Sequence, residues 1–371
     1  MNDVQGYRYT FSGSLTNSMS DFLLDLPNFE QLDLLTTQID WSSALKNIER
    51  RWEPRETLDV DPNTGEKKKV TFCRWFFLDS GAFSVHTGKA KFTEQDYIDR
   101  VNSVADKIDL CAQLDRIPGT FGLPKTPHDY DVSAEESWEQ YLRMRSKISR
   151  PEIITPISHM GEDFKYLRRM LEWKDENGQH IPYIGISPAN DASKEERLLY
   201  LDQVYKTIRA SSNPEVKTHV YGFVSGDAMK TVPGSSFDAV SYRLIAGYNK
   251  IFSRNFGVIS VSRRPRTSKV ASNLSFLDTA DEYNLNKLRE EIASMGITAE
   301  KCAKYCGHTV DEAREAMWGV FDENDVLDWF SYDNVVRTVF NIKSIQRAVK
   351  AEWAYKPTNR LQKRQLFALP S

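Results

Sequence analysis

From residue 70 onward, short β-rich runs alternate with charged stretches of helical period, and this alternation restricts the fold more than any other feature. The strand candidates are "VTFCRWFFLD" (70–79), "IDLCAQLD" (108–115), "EIITPISH" (152–159), "YIGISP" (183–188), "HVYGFV" (219–224), "FDAVSY" (237–242) and "FGVISVS" (256–262). Between them lie "TEQDYIDRVNSVADK", opening at Thr93 as an N-cap, "SAEESWEQYLRMRSK", opening at Ser133, "EDFKYLRRMLEWK" and "SKEERLLYLDQVYKTIRA". Strand, helix, strand, repeated, calls for parallel strands joined by crossovers. An early strand near "YRYTFSGS" brings the strands to eight and predicts a (β/α)8 TIM barrel, although a doubly wound open sheet has the same local signature.

The expected organisation is a barrel with its catalytic face over residues 1–271 and a helical, partly basic C-terminal part, 272–371, packed on it. The segment 53–69 reads as an exposed loop or hairpin tip around "DPNTG", and 116–132 as a long loop. At 371 residues and 40% hydrophobic content, the chain is long enough for one such barrel with a sizeable core. No apolar run approaches the ~20 residues of a membrane span, and the first residues lack a charged-then-apolar signal pattern. Four cysteines do not make a disulfide framework. The expectation is a cytoplasmic protein without a membrane partner.

Net charge is only −3, but its distribution is uneven. Seven basic residues and no acid lie between Arg243 and Lys269: these two, Lys250, Arg254, Arg263, Arg264 and Arg266. Seven more, from Lys343 to Arg364, face a single acid, Glu352. Such segments suit local binding of a polyanion, or are simply solvated faces balanced elsewhere in the fold.

Acids fall at strand ends. Asp79 and Asp115 close apolar runs, His159 closes another, and Asp238 joins them if its strand is short. In a parallel α/β protein those ends converge on one face, where substrates bind. A lone Asp there is more often a helix cap, whereas two at neighbouring strands point to a shared site about as readily as to two caps. After Asp79 come Ser80, Gly81, Ala82 and Phe83. Small residues let a ligand approach backbone N–H groups, and the ring offers a flat face, a combination suited to a planar nucleobase.

"LDSGAFS" resembles the "DSGGFQ"-type motif of tRNA-guanine transglycosylases, and more closely that of their phage and bacterial relatives that place 7-deazaguanines into DNA. The likeness continues in order through "QLDRIPG" (113–119), "PISHMGED" (156–163), "YIGISPAND" (183–191) and "THVYGFVSGDAMKTVPGSSFDAVSY" (218–242). The resemblance implies a TIM barrel and a base-exchange reaction. By motif, Asp238 matches the nucleophile, Asp79 the acid that moves a proton at the base, Phe83 the ring covering the base, and Asp115 the acid reading the guanine edge. Ser80, His159 and Gly185 complete the implied base-binding set.

Departures accompany the likeness. The family's glutamine is replaced by His159 or Met160, and its "GGL" loop by Gly185-Ile186-Ser187. The tRNA enzymes' zinc cluster is not intact: Cys302, Cys306 and His308 stand at a different spacing, and position 332 is Tyr. The expectation is therefore no metal or other cofactor, with zinc at those three residues as the lesser reading.

The function expected is a pentosyltransferase that exchanges guanine in DNA for a free 7-deazaguanine base, in the host cytoplasm if the chain is phage-encoded. The same chemistry on tRNA, a silent nucleic-acid-binding barrel and an unrelated small-molecule lyase or isomerase are the alternatives. The nucleic-acid backbone is expected along Arg243, Arg254, Arg263, Arg264, Arg266 and Lys269.

Overall fold

The structure, a computed structural model, describes residues 8–223, 226–263, 275–317 and 321–351. In chain order the strands are β1 (Arg8–Ser12), β2 (Leu32–Thr37), β3 (Pro54–Val60), β4 (Lys67–Thr71), β5 (Cys73–Asp79), β6 (Leu110–Ala112), β7 (Ile154–Thr155), β8 (Ile157–His159), β9 (Tyr183–Ser187), β10 (Lys217–Val220), β11 (Ser236–Ala239), β12 (Lys250–Ser253) and β13 (Gly257–Ser260). Nine of them form one sheet in the order β7-β6-β5-β2-β1-β11-β10-β9-β8, and every pairing in it is parallel.

The two ends of this sheet are consecutive in the chain. Only Pro156 separates β7 from β8; lacking an N–H, it interrupts the ladder. On one side of it Gln113 N–H donates to Thr155 O at 3.0 Å, and on the other Gly185 N–H donates to Pro156 O at 2.8 Å. The segment 154–159 thus passes from β6 to β9, and the sheet nearly closes into a barrel.

Alternation along the strands sorts side chains into two layers. Phe76, Leu78, Cys111, Ile184, Ile186, Val220, Phe237 and Ala239 join the large core beneath the helices. Leu35, Trp75, Phe77, Leu110, Ala112, Ile157 and Tyr183 form a separate inner cluster, with Tyr221 packed on it. Continuing the inner series by two residues leads from Phe77 to Asp79, from Ile157 to His159 and from Tyr183 to Gly185.

Local signals account for most helix starts. Thr93 caps the helix Glu94–Val104 in a capping box with Asp96, as its position predicts. Ser193 and Glu196 do the same for Lys194–Arg209. The helix after β6 differs from expectation: it runs Pro127–Lys147, with Thr126 as cap, Asp129 completing the box and Pro127 in the first turn. Ser133 is therefore buried mid-helix, and the loop after β6 ends near residue 125 rather than 132.

Two strand assignments also differ. The run 256–262 contributes β13 to a small antiparallel hairpin with β12, outside the barrel. Its place in the barrel is taken by β2, whose "LDLLTT" lies in a leucine-rich stretch without clear strand period. The segment 54–71 is a hairpin, β3 against β4.

The helix Asn334–Ala351 packs beside β12 and the helix Ser241–Gly247. Asn341 accepts from Phe252 N at 2.7 Å and donates to Tyr242 O at 3.0 Å, and Arg337 Nε donates to Ala246 O at 2.8 Å. No helix among the described residues is long and apolar enough to cross a membrane.

Candidate active site

Asp79 ends β5 on the inner side. Its Oδ2 accepts the Gly81 N–H at 3.1 Å. Gly81 has φ +75°, and a Cβ there would lie 2.6 Å from Ile39, so both conformation and space demand glycine. This turn starts the short helix Ala82–His86, which leaves Phe83 52% exposed. Ser80 is buried in the strand–helix junction, where its Oγ accepts from Ala82 N at 3.3 Å and its carbonyl from Gln38 at 3.1 Å.

Asp238 lies inside β11 and is buried, as a short strand requires. Ser12 Oγ donates to its Oδ2 at 2.5 Å, and Gly222 N–H to its Oδ1 at 2.8 Å. His219 Nε2 stands 3.3 Å from the same Oδ1. That contact is an electrostatic approach rather than a well-aligned hydrogen bond. Burial pushes the Asp238 carboxyl upward, but His219, Ser12 and Gly222 outweigh it and hold the group below its ordinary value.

Behind His219 runs a buried chain: Nδ1 is 2.7 Å from Ser236 Oγ, which is 2.7 Å from Tyr183 OH. The His219 ring also meets Phe77 and Tyr221 edge-on, at centroid distances of 4.7 and 4.5 Å. Sequence reasoning missed His219, although its place three residues before Gly222, on the inner side of a strand, was the available signal.

Asp115 lies just beyond β6 and pairs with His159, Nε2 to Oδ2 2.8 Å. On its other side His159 Nδ1 is 2.9 Å from Glu162 Oε1, and Glu162 Oε2 accepts the His159 N–H at 3.0 Å. Burial pulls the imidazole down, but the charges and hydrogen bonds of Glu162 and Asp115 raise it to about 10. At neutral pH His159 is an imidazolium between two carboxylates. Glu162 was not among the expected residues; a carboxylate three positions after a strand-end histidine was the available signal.

No cation among the described residues lowers the Asp79 carboxyl. Burial, then the charges of Asp238 and Asp115, raise its carboxyl to about 6 against the opposing Gly81 hydrogen bond. Tyr221 completes the centre. Its hydroxyl is buried with no hydrogen-bond partner among the described residues, and burial together with Asp79, Asp115 and Asp238 pushes it well above the usual phenol range. Gly185 makes room for it: a Cβ there would lie 2.6 Å from the Tyr221 ring.

Asp79, Asp115, His159, Gly185 and Asp238 therefore converge. Three residues of the expected backbone track lie among the described residues. Arg243 donates to Ser14 O at 3.0 Å, Arg254 N–H donates to Glu291 at 2.7 Å, and Arg263 pairs with buried Asp328. Arg264, Arg266 and Lys269 lie outside the described residues. Of the C-terminal basic segment, Lys343 donates to Asn28 O at 2.9 Å and Arg347 to Ser294 O at 2.8 Å.

Cys302 and Cys306 are buried, while His308 is exposed and lies 3.8 Å from Glu312. Cys306 Sγ bonds the carbonyl of His308 at 3.3 Å. Among the described residues, no group of three His, Cys, Asp or Glu side chains is arranged to hold a metal ion.

No family model matches the chain, and no curated protein matches it.

Three carboxylates close enough to act on one another, two beside histidines and one with a raised pKa, can divide labour: a charged nucleophile, a hydrogen-bond acceptor and a proton carrier.

Proposed function

We propose that this protein is a base-exchange glycosyltransferase that replaces guanine in DNA with a 7-deazaguanine through a covalent glycosyl-aspartate. In this reading the segment 154–159 counts as one strand, and the sheet is the eight-stranded wall of a (β/α)8 barrel. The direction comes from the ordered motif resemblance to the DNA-acting relatives of tRNA-guanine transglycosylases. The observation that carries it is the opposite tuning of two carboxyls in one site: Asp238 is lowered, and Asp79 is raised to about 6.

Asp238, kept as an anion, attacks the anomeric carbon of the target nucleotide. The bond from that carbon to guanine breaks, its electron pair leaves with the base, and Asp79 supplies the proton that neutralises the leaving group. The incoming base then gives its proton to Asp79 and attacks the same carbon, releasing Asp238. Two displacements retain the sugar's configuration. A carboxyl near 6 passes a proton in either direction at neutral pH. Asp115 accepts from the N–H groups of the guanine edge, and Phe83 covers the base. The target nucleotide must be unstacked to reach these groups.

The test is incubation with guanine-labelled duplex DNA or tRNA and unlabelled 7-deazaguanine, with Asp238→Asn as control. Loss of label from DNA that depends on Asp238 is expected. Release from tRNA alone would move the substrate to tRNA, and release from neither would overturn the reading.

A further inference from the structure

The loop between β6 and the helix Pro127–Lys147 holds two large apolar side chains out in solvent: Phe121 is 59% and Leu123 63% exposed. They are not isolated. The Phe121 ring lies 6.3 Å from Phe83 and 6.1 Å from His86, edge-on to both. The exposed apolar surface is thus continuous with Phe83, four residues after Asp79.

The loop is shaped rather than slack. Gly119 and Gly122 adopt left-handed φ of +73° and +82°, Leu123 N–H donates to Thr120 O at 3.1 Å, and the Thr126–Asp129 capping box anchors the far end. A Cβ on Gly119 would lie 3.0 Å from Lys125, so the turn folds that lysine's stem back onto the loop. Lys125 acts electrostatically on His86, which places its charge beside the same patch. Lys89 ends the turn after the Phe83 helix, its N–H donating to Ser84 O at 2.8 Å. Both lysines are exposed, whereas Arg243 and Arg263 are tied to Ser14 and Asp328.

Apolar rings with exposed lysines close to them in the chain, on the elements that follow Asp79 and Asp115, fit one kind of partner: a DNA strand, with bases for the rings and phosphates for the cations. Resting on the base-exchange reading, we propose that Phe121 is a stacking platform for the nucleotide adjacent to the one inserted in the pocket, with Leu123 extending it and Lys89 and Lys125 holding the flanking phosphates. The strand then crosses the mouth on the β5–β6 side. The displaced neighbour keeps a stacking partner while the target base leaves the helix, which offsets part of the unstacking cost.

The test uses a fluorescein-labelled single-stranded DNA 12-mer containing one guanine, with binding followed by anisotropy. Phe121→Ala should weaken binding about 5- to 150-fold, the range for one lost base–aromatic stack. Phe121→Trp should restore it. Lys89→Ala with Lys125→Ala should lower the slope of log affinity against log salt by about 1–2. Free guanine binding, by equilibrium dialysis of the labelled base, and thermal unfolding should not change in any variant.

Wild-type affinity and salt slope in all of these variants would overturn the platform while leaving base exchange intact. Loss of free guanine binding in Phe121→Ala would also overturn it, by placing that ring in the base pocket. If the wild-type protein neither binds the 12-mer nor exchanges guanine, the platform and the base-exchange reading fall together.

Discussion

His219 Nε2 lies 3.3 Å from Asp238 Oδ1, on the inner face of neighbouring parallel strands. Its other nitrogen is held by Ser236, and Ser236 by Tyr183, so the ring cannot turn away without breaking a buried chain. His219 is a positioning residue for the carboxylate, and several measurable consequences follow from it and its neighbours.

Removing His219 should raise the Asp238 pKa. Burial alone pushes that carboxyl up, and His219 is the largest influence holding it down. In His219→Gln the acid limb of the kcat/KM profile should move to higher pH. A carbon-13 NMR titration of the Asp238 carboxyl reads the same shift without turnover. An unchanged titration would reduce His219 to packing.

Asp238→Asn should lower base exchange by at least about 10³-fold, because only the nucleophile's charge is lost. Its circular dichroism should match the wild type. Near wild-type exchange would place the nucleophile elsewhere.

Asp79→Asn should slow exchange by about 10²–10⁴-fold and also stabilise the fold at neutral pH. The Asp79 carboxyl sits at about 6 when folded and at the ordinary 3.8 when unfolded. The raised value favours folding most below about pH 4, and that advantage is lost as pH rises through about 6. The amide avoids an ionised, crowded group, for a gain of about 1–2 kcal/mol after discounting for Asp79's partial exposure. Urea unfolding at pH 5 and pH 8 should show the gain growing with pH.

His159 should matter to stability as well as to base recognition. With its imidazole raised to about 10 by Glu162 and Asp115, its stabilising contribution is complete below about pH 6.5 and lost as pH rises through about 10. His159→Ala leaves two buried carboxylates facing each other and should cost about 3–5 kcal/mol. Its unfolding free energy should lack the wild-type decline between pH 7 and 10. A parallel decline in the variant would assign that slope to other groups.

Arg263→Glu should destabilise the protein by about 2–4 kcal/mol by stranding the buried Asp328 carboxylate. This loss separates Arg263 from a pure phosphate contact, whose reversal would change DNA binding and leave the melting temperature alone. An unchanged melting temperature would show the Asp328 pair to be dispensable.

Much of the site could be read from the chain because it is built from strand ends. Asp79 and His159 close their strands, Asp115 follows one closely, and Asp238 lies in a strand short enough to expose it to the pocket. Thr93 announced its helix through a local capping box. The leucine-rich β2 could not be read this way: its membership depends on β1 and β5 lying on either side of it, not on its own period. Nor could the role of Arg243 and Arg263, whose partners are distant in sequence.

The sequence by itself determined the strand–helix alternation, most helix caps and the acids at the strand ends, because each depends on residues within a turn or two of one another. Only the tertiary structure decided how those acids are tuned. Ser12 reaches Asp238 across 226 residues, and His219 reaches it across a strand pair. Glu162 lies only three residues after His159, yet its effect depends on Asp115 closing the other side of the ring. Near closure of the sheet sets these distances, and where the groups are buried one charge or one hydrogen bond moves a proton equilibrium far more than it would in solvent.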